Sequence, residues 1–478
     1  MEKKEKKDLL SCIREGRSMT RSEQLRLIVS LSVPSILAQI SATVMFFIDA
    51  SMVGHLGERA TASIGLVETT TWLMGGLGMA ASMGFSVQVA HFIGANDFPS
   101  ARRVLRQSLV CSFLWSLMLS TVGIAIHRPL PYWLGGNADI AGDASLYFLI
   151  VGLAGILFQM EGLAGSMLKC SGNMKIPSVL NILMCVLDVV FNYILIFVFD
   201  LGVAGAAMGT AFAEGVTAVL MLYFLLVRSN MLGIFRGGWQ KIKAENSWHH
   251  FQPQADTVRT AFKIGAPMGI QHLLMGSAQI VSTVIVAPLG TIAIAANSLA
   301  ITVESLCYMP GYGIAEAATT LVGQGIGAGQ RGLTRSLANM SVGVGIAVMS
   351  FMGTLMYIFA PELMAIMTPV EEIIVLGAEA LRIEAWAEPM FAAMIVANGV
   401  FIGAGDTLIP AIMSLSSMWG IRLTLAAFLA PRMGLRGVWI AMAIDLTVRG
   451  VIFLTRLFQS KWLSVYKKRG TSSTSKQY

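Results

Sequence analysis

Leu56-Gly57 and Ile93-Gly94-Ala95 in the first half of the chain return in the second as Leu289-Gly290 and Ile326-Gly327-Ala328, each 233 positions on. Gly172 recurs as Gly405, Ile176-Pro177 as Ile409-Pro410, Pro34 as Pro267 and Arg102 as Arg335 at the same offset. After a slip of one residue, Pro129 pairs with Pro361, Gly202 with Gly434 and Gly205 with Gly437. Turn and bend residues that match in one order along two halves mark a tandem repeat, residues 25–228 and 258–461.

The 478 residues are 55% hydrophobic and 13% charged, with 48 glycines and a mean hydropathy of +0.69. That balance excludes an ordinary soluble domain and points to a polytopic membrane protein. Charge-poor runs able to cross roughly 30 Å of hydrocarbon begin at 27–54 and end at 437–460, twelve in all. The expected fold is all-α, with twelve transmembrane helices in two six-helix bundles. Because six is even, the second bundle enters the membrane in the same orientation as the first, so the repeats are parallel. The expected organisation is an arm at 1–26, an N-lobe at 27–228, a linker at 229–256, a C-lobe at 257–462 and a tail at 463–478.

Lysine and arginine fall on one side. Segments on the side of the N-terminus hold Lys3, Arg14, Arg26, Arg102, Arg103, Arg106, Lys169, Lys175, Arg228, Arg331, Arg335 and Arg456 among many others, whereas the opposite loops hold Arg59, Arg128, Arg432 and Arg436. This asymmetry predicts cytoplasmic termini and assigns the net charge of +7 to topology and lipid headgroups, not to nucleic acid. The first hydrophobic run is too long for a signal-peptide core, so no cleavage is expected. Five scattered cysteines, Cys12, Cys111, Cys170, Cys185 and Cys307, form no CxxC or Cys/His pattern and read as small core residues. His249-His250 lies in the polar linker without a partner at ligand spacing and reads as solvated chain, not a metal site.

Carboxylates placed in hydrocarbon against their cost are functional candidates. Asp49 lies near the far end of the first run. Asp188 and Asn192 are spaced i, i+4 in the fifth, Thr210 and Glu214 repeat that spacing in the sixth, and Glu68 lies about seven residues inside the second. At 1.5 Å per residue, Asp49, Asn192 and Thr210 fall at similar depth, with Asp188 and Glu214 a turn deeper. One lobe therefore can gather them into one pocket. Carboxylate, amide and hydroxyl oxygens suit sodium, and a carboxylate pair equally suits a proton. The competing explanation is plain interhelical hydrogen bonding. Against it, the second lobe keeps the scaffold and drops the charges. Asp49 faces Ser282, Asp188 a position near Ile421, Asn192 one near Leu425, and Thr210 meets Met442.

Phe47-Ile48-Asp49-Ala50-Ser51-Met52-Val53-Gly54-His55-Leu56-Gly57, Leu201-Gly202-Val203-Ala204-Gly205-Ala206-Ala207 and Gly403-Ala404-Gly405-Asp406-Thr407 resemble the multidrug and toxic compound extrusion (MATE) transporters of prokaryotic type. The resemblance spans the whole transmembrane chain. It implies two bundles forming a V around a central cavity, and drug–cation antiport by alternating access. By motif it assigns cation coupling to Asp49 and Thr210, a helix bend to Pro34, and the helix-5 pair to Asp188 and Asn192. Many members carry Asn-x-x-x-Asp there, whereas this chain has the order swapped by one turn. A glutamate found in helix 7 of sodium-coupled members aligns near Met275, and a helix-10 aspartate near Phe391 with Glu388 one turn away.

Asp445 and Arg449, spaced i, i+4, read as a buried pair, with Arg422 nearby, and Glu379, Arg382 and Glu384 read as a similar cluster. Glu304 and Glu316 are candidates to line the cavity and attract a cationic drug. Thirty methionines and 23 phenylalanines suit a polyspecific cavity. The expected function is a secondary active exporter coupled to H+ or Na+, acting as a monomer on amphipathic, often cationic compounds, without a cofactor. A flippase for lipid-linked precursors is the alternative, and the acidic N-lobe speaks against it. Paired bend prolines disfavour a channel. No nucleotide loop, metal cluster or nucleophile–base pair supports an enzyme.

Overall fold

The computed structural model describes residues 9–236 and 248–464. Residues 1–8 of the expected arm, 237–247 of the linker and 465–478 of the tail lie outside the described residues. Among the described residues the chain is all-α, without a strand. Eleven helices among the described residues are long and apolar enough to cross a membrane. They are α1 (Arg21–Gly54), α2 (Glu58–Gly94), α3 (Phe98–Ile126), α4 (Ala138–Cys170), α5 (Lys175–Val198), α6 (Gly202–Arg228), α7 (Ala255–Leu289), α8 (Thr291–Gly327), α9 (Arg331–Ile358), α11 (Leu408–Met433) and α12 (Leu435–Gln459). The twelfth span, α10, is a pair, Glu371–Ala385 and Glu388–Gly403, bent by 60°. Pro389 explains the break, because it has no N–H to donate to the Ala385 carbonyl and its ring would clash with that carbonyl in a continuous helix, whereas it is tolerated in the first turn of Glu388–Gly403. Side chains such as Val179, Val219, Phe262 and Phe351 point outward uncovered, as expected where the solvent is lipid. The chain is a multi-pass membrane protein.

The repeat is visible in backbone conformation. Gly57 and its mate Gly290 hold φ of +100° and +98°, and Gly172 and Gly405 hold +91° and +72°. Both pairs close a turn between spans in the left-handed region, where a Cβ is strained.

Packing divides the chain into two compact units. One comprises the described residues of Met1–Gln39, Ile93–Asn96 and the chain from Leu273 on, and the other Ile40–Phe92 and Asp97–His272. The lobes expected at 27–228 and 257–462 follow the sequence repeat, whereas the units follow packing. The two divisions part inside α1 and α7, in each case five residues beyond the paired proline, Pro34 or Pro267.

In the unit containing Ile40–Phe92 and Asp97–His272, α2 and the start of α7 meet backbone to backbone. Gly84 abuts the Ala261 carbonyl, and a Cβ at Gly265 would stand 2.6 Å from the Ala80 oxygen. Helix α3 begins where Asp97 accepts the Ser100 N–H at 3.1 Å and Pro99 fills the first turn. In the other unit, Gly399 and Gly403 of α10 press on Ala315 and Thr319 of α8. The Thr319 hydroxyl donates across to the Gly399 carbonyl at 2.8 Å, a small-residue seam of the kind that holds membrane helices together. A short helix, Leu9–Glu15, buries Leu10, Cys12 and Ile13 in that unit, and Asn96 Nδ2 donates to the Arg14 carbonyl at 3.0 Å.

Candidate functional site

The site is built from the far half of α1 and from α5 and α6, all within the second of these units. Asn192 of α5 donates from one amide nitrogen to two carboxylates, Asp49 Oδ1 of α1 at 3.1 Å and Asp188 Oδ2 of α5 at 3.0 Å. The Asp188–Asn192 contact follows from the i, i+4 spacing, which stacks two side chains on one helix face. Asp188 is fully buried, Asn192 is 2% exposed and Asp49 is half-buried. Thr210 of α6 donates to its own Ala206 carbonyl at 3.2 Å and lies beside Asp188. Asp49, Asp188, Asn192 and Thr210 are thus brought together.

The donor set fits a small monovalent cation. Asp188 Oδ1 and Asn192 Oδ1 are buried acceptors without a hydrogen-bond partner, and among the described residues no salt bridge reaches either aspartate. Two ionised carboxylates a few ångströms apart repel by about 4 kcal/mol at an effective dielectric near 20. A bound proton or cation removes that repulsion.

Gly209 makes the arrangement possible. A Cβ there would run into Asn192 Oδ1 and stand 2.8 Å from the Asn192 nitrogen, so only glycine lets α6 close onto the amide. Sequence reasoning missed this residue, although the repeat carried a signal. With the one-residue slip its mate is Ala441, in the half that lacks the asparagine. Tyr147 of α4 was also missed. It lies within electrostatic reach of Glu68, Asp49 and Asp188, and a tyrosine in an apolar helix carries no pattern that singles it out.

The remaining candidates separate. Glu68 is exposed and accepts from Trp72 Nε1 at 3.3 Å, one turn along α2. Glu214 lies a turn deeper than Thr210, facing Asp188 and Glu161. Pro34 sits in the part of α1 that belongs to the other unit. Glu304 and Glu388 are also in that unit, 5% and 0% exposed, within a buried charge cluster that takes in Glu384, Arg422, Asp445 and Arg449. There Arg449 pairs with Asp445, which also accepts from the Ser417 hydroxyl. Arg422 closes a π turn, Met418–Arg422, in α11. The expected Glu379–Arg382–Glu384 cluster divides. Glu379 pairs with Arg436, Arg382 lies over the Tyr357 ring, and Glu384 turns into the core. Glu316 accepts from Gln39 Nε2 at 3.3 Å. His249 and His250 form a 3-10 turn with Trp248.

The MatE family profile matches residues 34–194 and 267–428, two stretches that begin at the paired prolines. The chain belongs to the MatE family. Its resemblance to the multidrug and toxic compound extrusion transporters is therefore borne out, and so is the twelve-span helical fold. The chain is 24% identical over 441 residues to the probable multidrug resistance protein NorM of Thermotoga maritima, covering 91% of this chain and 92% of the relative. It is 24% identical to the multidrug resistance protein PmpM of Pseudomonas aeruginosa, covering 93% of each. A solved MATE family transporter of the MOP superfamily in an outward-facing conformation superposes with a TM-score of 0.86 at 20% identity, over 95% of this chain and 99% of that one. A MOP superfamily transporter from Pyrococcus furiosus, described as having a binding pocket of reverse polarity, superposes with a TM-score of 0.84 at 20% identity, over 94% and 100%. At these identities the likeness concerns the fold.

Proposed function

We propose that this MatE protein is a secondary active multidrug exporter that exchanges H+ or Na+ for amphipathic, often cationic compounds by alternating access. It is a transporter and not an enzyme, and it works as a monomer in the cytoplasmic membrane with both termini inside. The carrying observation is one amide bridging Asp49 and Asp188 in a largely buried, acidic site, in a chain whose relatives bear the names of multidrug resistance proteins. A site whose occupancy by a cation changes its net charge can bias two conformations, provided the cation binds them unequally. In the other unit Glu304 and Glu388 are buried with Arg422 and Arg449, so they act on a cationic drug through the field of that cluster and not by contact. The flippase alternative calls for basic groups that hold a pyrophosphate, and the site is acidic.

The test is ethidium efflux in membrane vesicles under an imposed pH gradient or an imposed sodium gradient, each alone. Asp49→Asn and Asp188→Asn are expected to lower gradient-driven efflux at least about 100-fold, the scale of a lost proton-transfer group, with normal amounts of folded protein. Wild-type rates in both variants would end the coupling assignment.

A further inference from the structure

We propose that Glu214 of α6 and Glu161 of α4 extend the Asp49–Asp188 site into a proton relay toward the arginine- and lysine-rich end of the bundle, so that the coupling ion is a proton. The inference rests on the coupling role of Asp49 and Asp188 and adds to it a path and an ion.

The carboxylates form a graded series. Helix α5 starts at the basic end with Lys175, which places Asn181, Asp188 and Asn192 about 9, 20 and 26 Å along it at 1.5 Å per residue. Glu161 lies about 14 Å from the basic end of α4 at Cys170 by the same rise. Glu214 lies about 21 Å from the basic end of α6 at Arg228, level with Asp188, with Glu161 and Asp188 as the charges acting on it most strongly. Asn181 lies two turns from Asp188 on the same face of α5. With its amide nitrogen turned toward them, it donates to the Pro177 carbonyl at 3.0 Å and to Glu161 Oε1 at 3.2 Å. The lower end of the series thus repeats the upper one, an asparagine amide holding a carboxylate.

A second observation points to a mobile ligand. Asp188, fully buried, leaves Oδ1 without a hydrogen-bond partner, and Glu214 leaves Oε2 likewise buried and unpartnered. Buried acceptors are ordinarily satisfied, and each one left over costs about 1–3 kcal/mol. A proton on either carboxyl converts an acceptor into a donor for its neighbour. The groups facing Glu214 are Glu161 from α4 and Asp188 and Cys185 from α5.

The chemistry of the series selects the ion. A metal cation needs several oxygens around it at once, and along Asp188, Glu214 and Glu161 the described residues contain no group of three or more carboxylate, histidine or cysteine ligands that would give it a further stop beyond the Asp49–Asp188 site. A proton needs one acceptor at a time. In each hop the donor carboxyl O–H breaks, its electron pair stays on the donor as carboxylate, and a new O–H forms on the acceptor. Starting from protonated Asp188, the proton passes to Glu214 and then to Glu161, and net charge is unchanged at every step. The second repeat lacks the series, since Glu161 aligns with Met394, Asn181 with Ser414 and Glu214 with Leu446.

The test uses the full chain in proteoliposomes, comparing wild type, Glu214→Gln, Glu161→Gln, Glu214→Asp, Asp49→Asn and Asp188→Asn. Readouts are ethidium efflux under a pH gradient, efflux under a sodium gradient, equilibrium ethidium binding, and ethidium exchange without a gradient. The expected result is efflux driven by the pH gradient alone, lowered about 100-fold in Glu214→Gln and Glu161→Gln. Binding and exchange stay within about twofold, and Glu214→Asp recovers part of the rate. A merely structural glutamate would lower exchange along with driven efflux. Wild-type rates in Glu214→Gln and Glu161→Gln, with Asp49→Asn and Asp188→Asn inactive, would overturn the relay and leave the coupling site standing. Wild-type rates in all four would overturn both. Transport driven by sodium and not by a pH gradient would also overturn the relay. If Glu214→Gln does not fold, Glu161→Gln decides on the same readouts.

Discussion

At Gly209 a single methyl group would reach the amide that joins the two aspartates. Gly209→Ala is expected to push Asn192 off its bridge, to cost about 1–3 kcal/mol as overpacking does, and to lower gradient-driven efflux at least about tenfold. Thermal unfolding together with vesicle efflux checks this, and an alanine variant with wild-type transport would show that the bridge tolerates displacement. Ala441, the aligned residue of the second half, already carries that methyl group where no asparagine needs the space. At this scale Asp49, Asp188, Asn192 and Thr210 were legible, because charge in a hydrophobic run is conspicuous and i, i+4 spacing fixes a shared face. Gly209 and Tyr147 were not. Their roles depend on how closely two helices approach, and sequence spacing within one helix does not contain that distance.

Single helices owe their existence to apolar length, which the sequence displays, and their seams to small residues, which it displays less clearly. Gly399 and Gly403 illustrate the second case. A Cβ at Gly399 would lie 2.5 Å from the Ala315 oxygen, and one at Gly403 3.0 Å from Thr319 Cα, so no far end of a flexible side chain can yield. Gly399→Leu is expected to lower the melting temperature of the purified protein by several degrees or prevent its accumulation in the membrane, at a cost of about 3 kcal/mol or more. Gly343→Ala on α9, where nothing lies within 4 Å of the added carbon, should leave melting unchanged or raise it slightly. Equal melting of the two variants would dismiss the seam. The break in α10 was partly legible in Glu388-Pro389, but its 60° angle was not. Of the cluster of Glu304, Glu384, Glu388, Arg422, Asp445 and Arg449, the pair Asp445–Arg449 with Arg422 nearby was legible from its spacing, whereas the three glutamates were not joined to it, because the members come from four helices and only packing turns them toward one another.

For the molecule as a whole, the repeat gave two lobes and the parallel count of six spans each, and the packing then assigned the first part of α1 and of α7 across them. Pro34 cannot donate to the Ser30 carbonyl, nor Pro267 to that of Lys263, so each helix lacks a backbone bond a few residues before it changes unit. Replacing both prolines with alanine restores two bonds and removes a penalty of about 3 kcal/mol each. The double variant is expected to melt higher and to transport about tenfold more slowly, as gating variants do, with ethidium affinity within twofold; unchanged turnover would remove the prolines from the motion. The exchange at Gln39/Ile40 and His272/Leu273, again 233 positions apart, also bears on how each unit is completed. A single repeat with this pattern would complete its packing unit only with the beginning of the first helix of a second copy, the geometry of a swapped dimer, and here both copies are supplied by one chain.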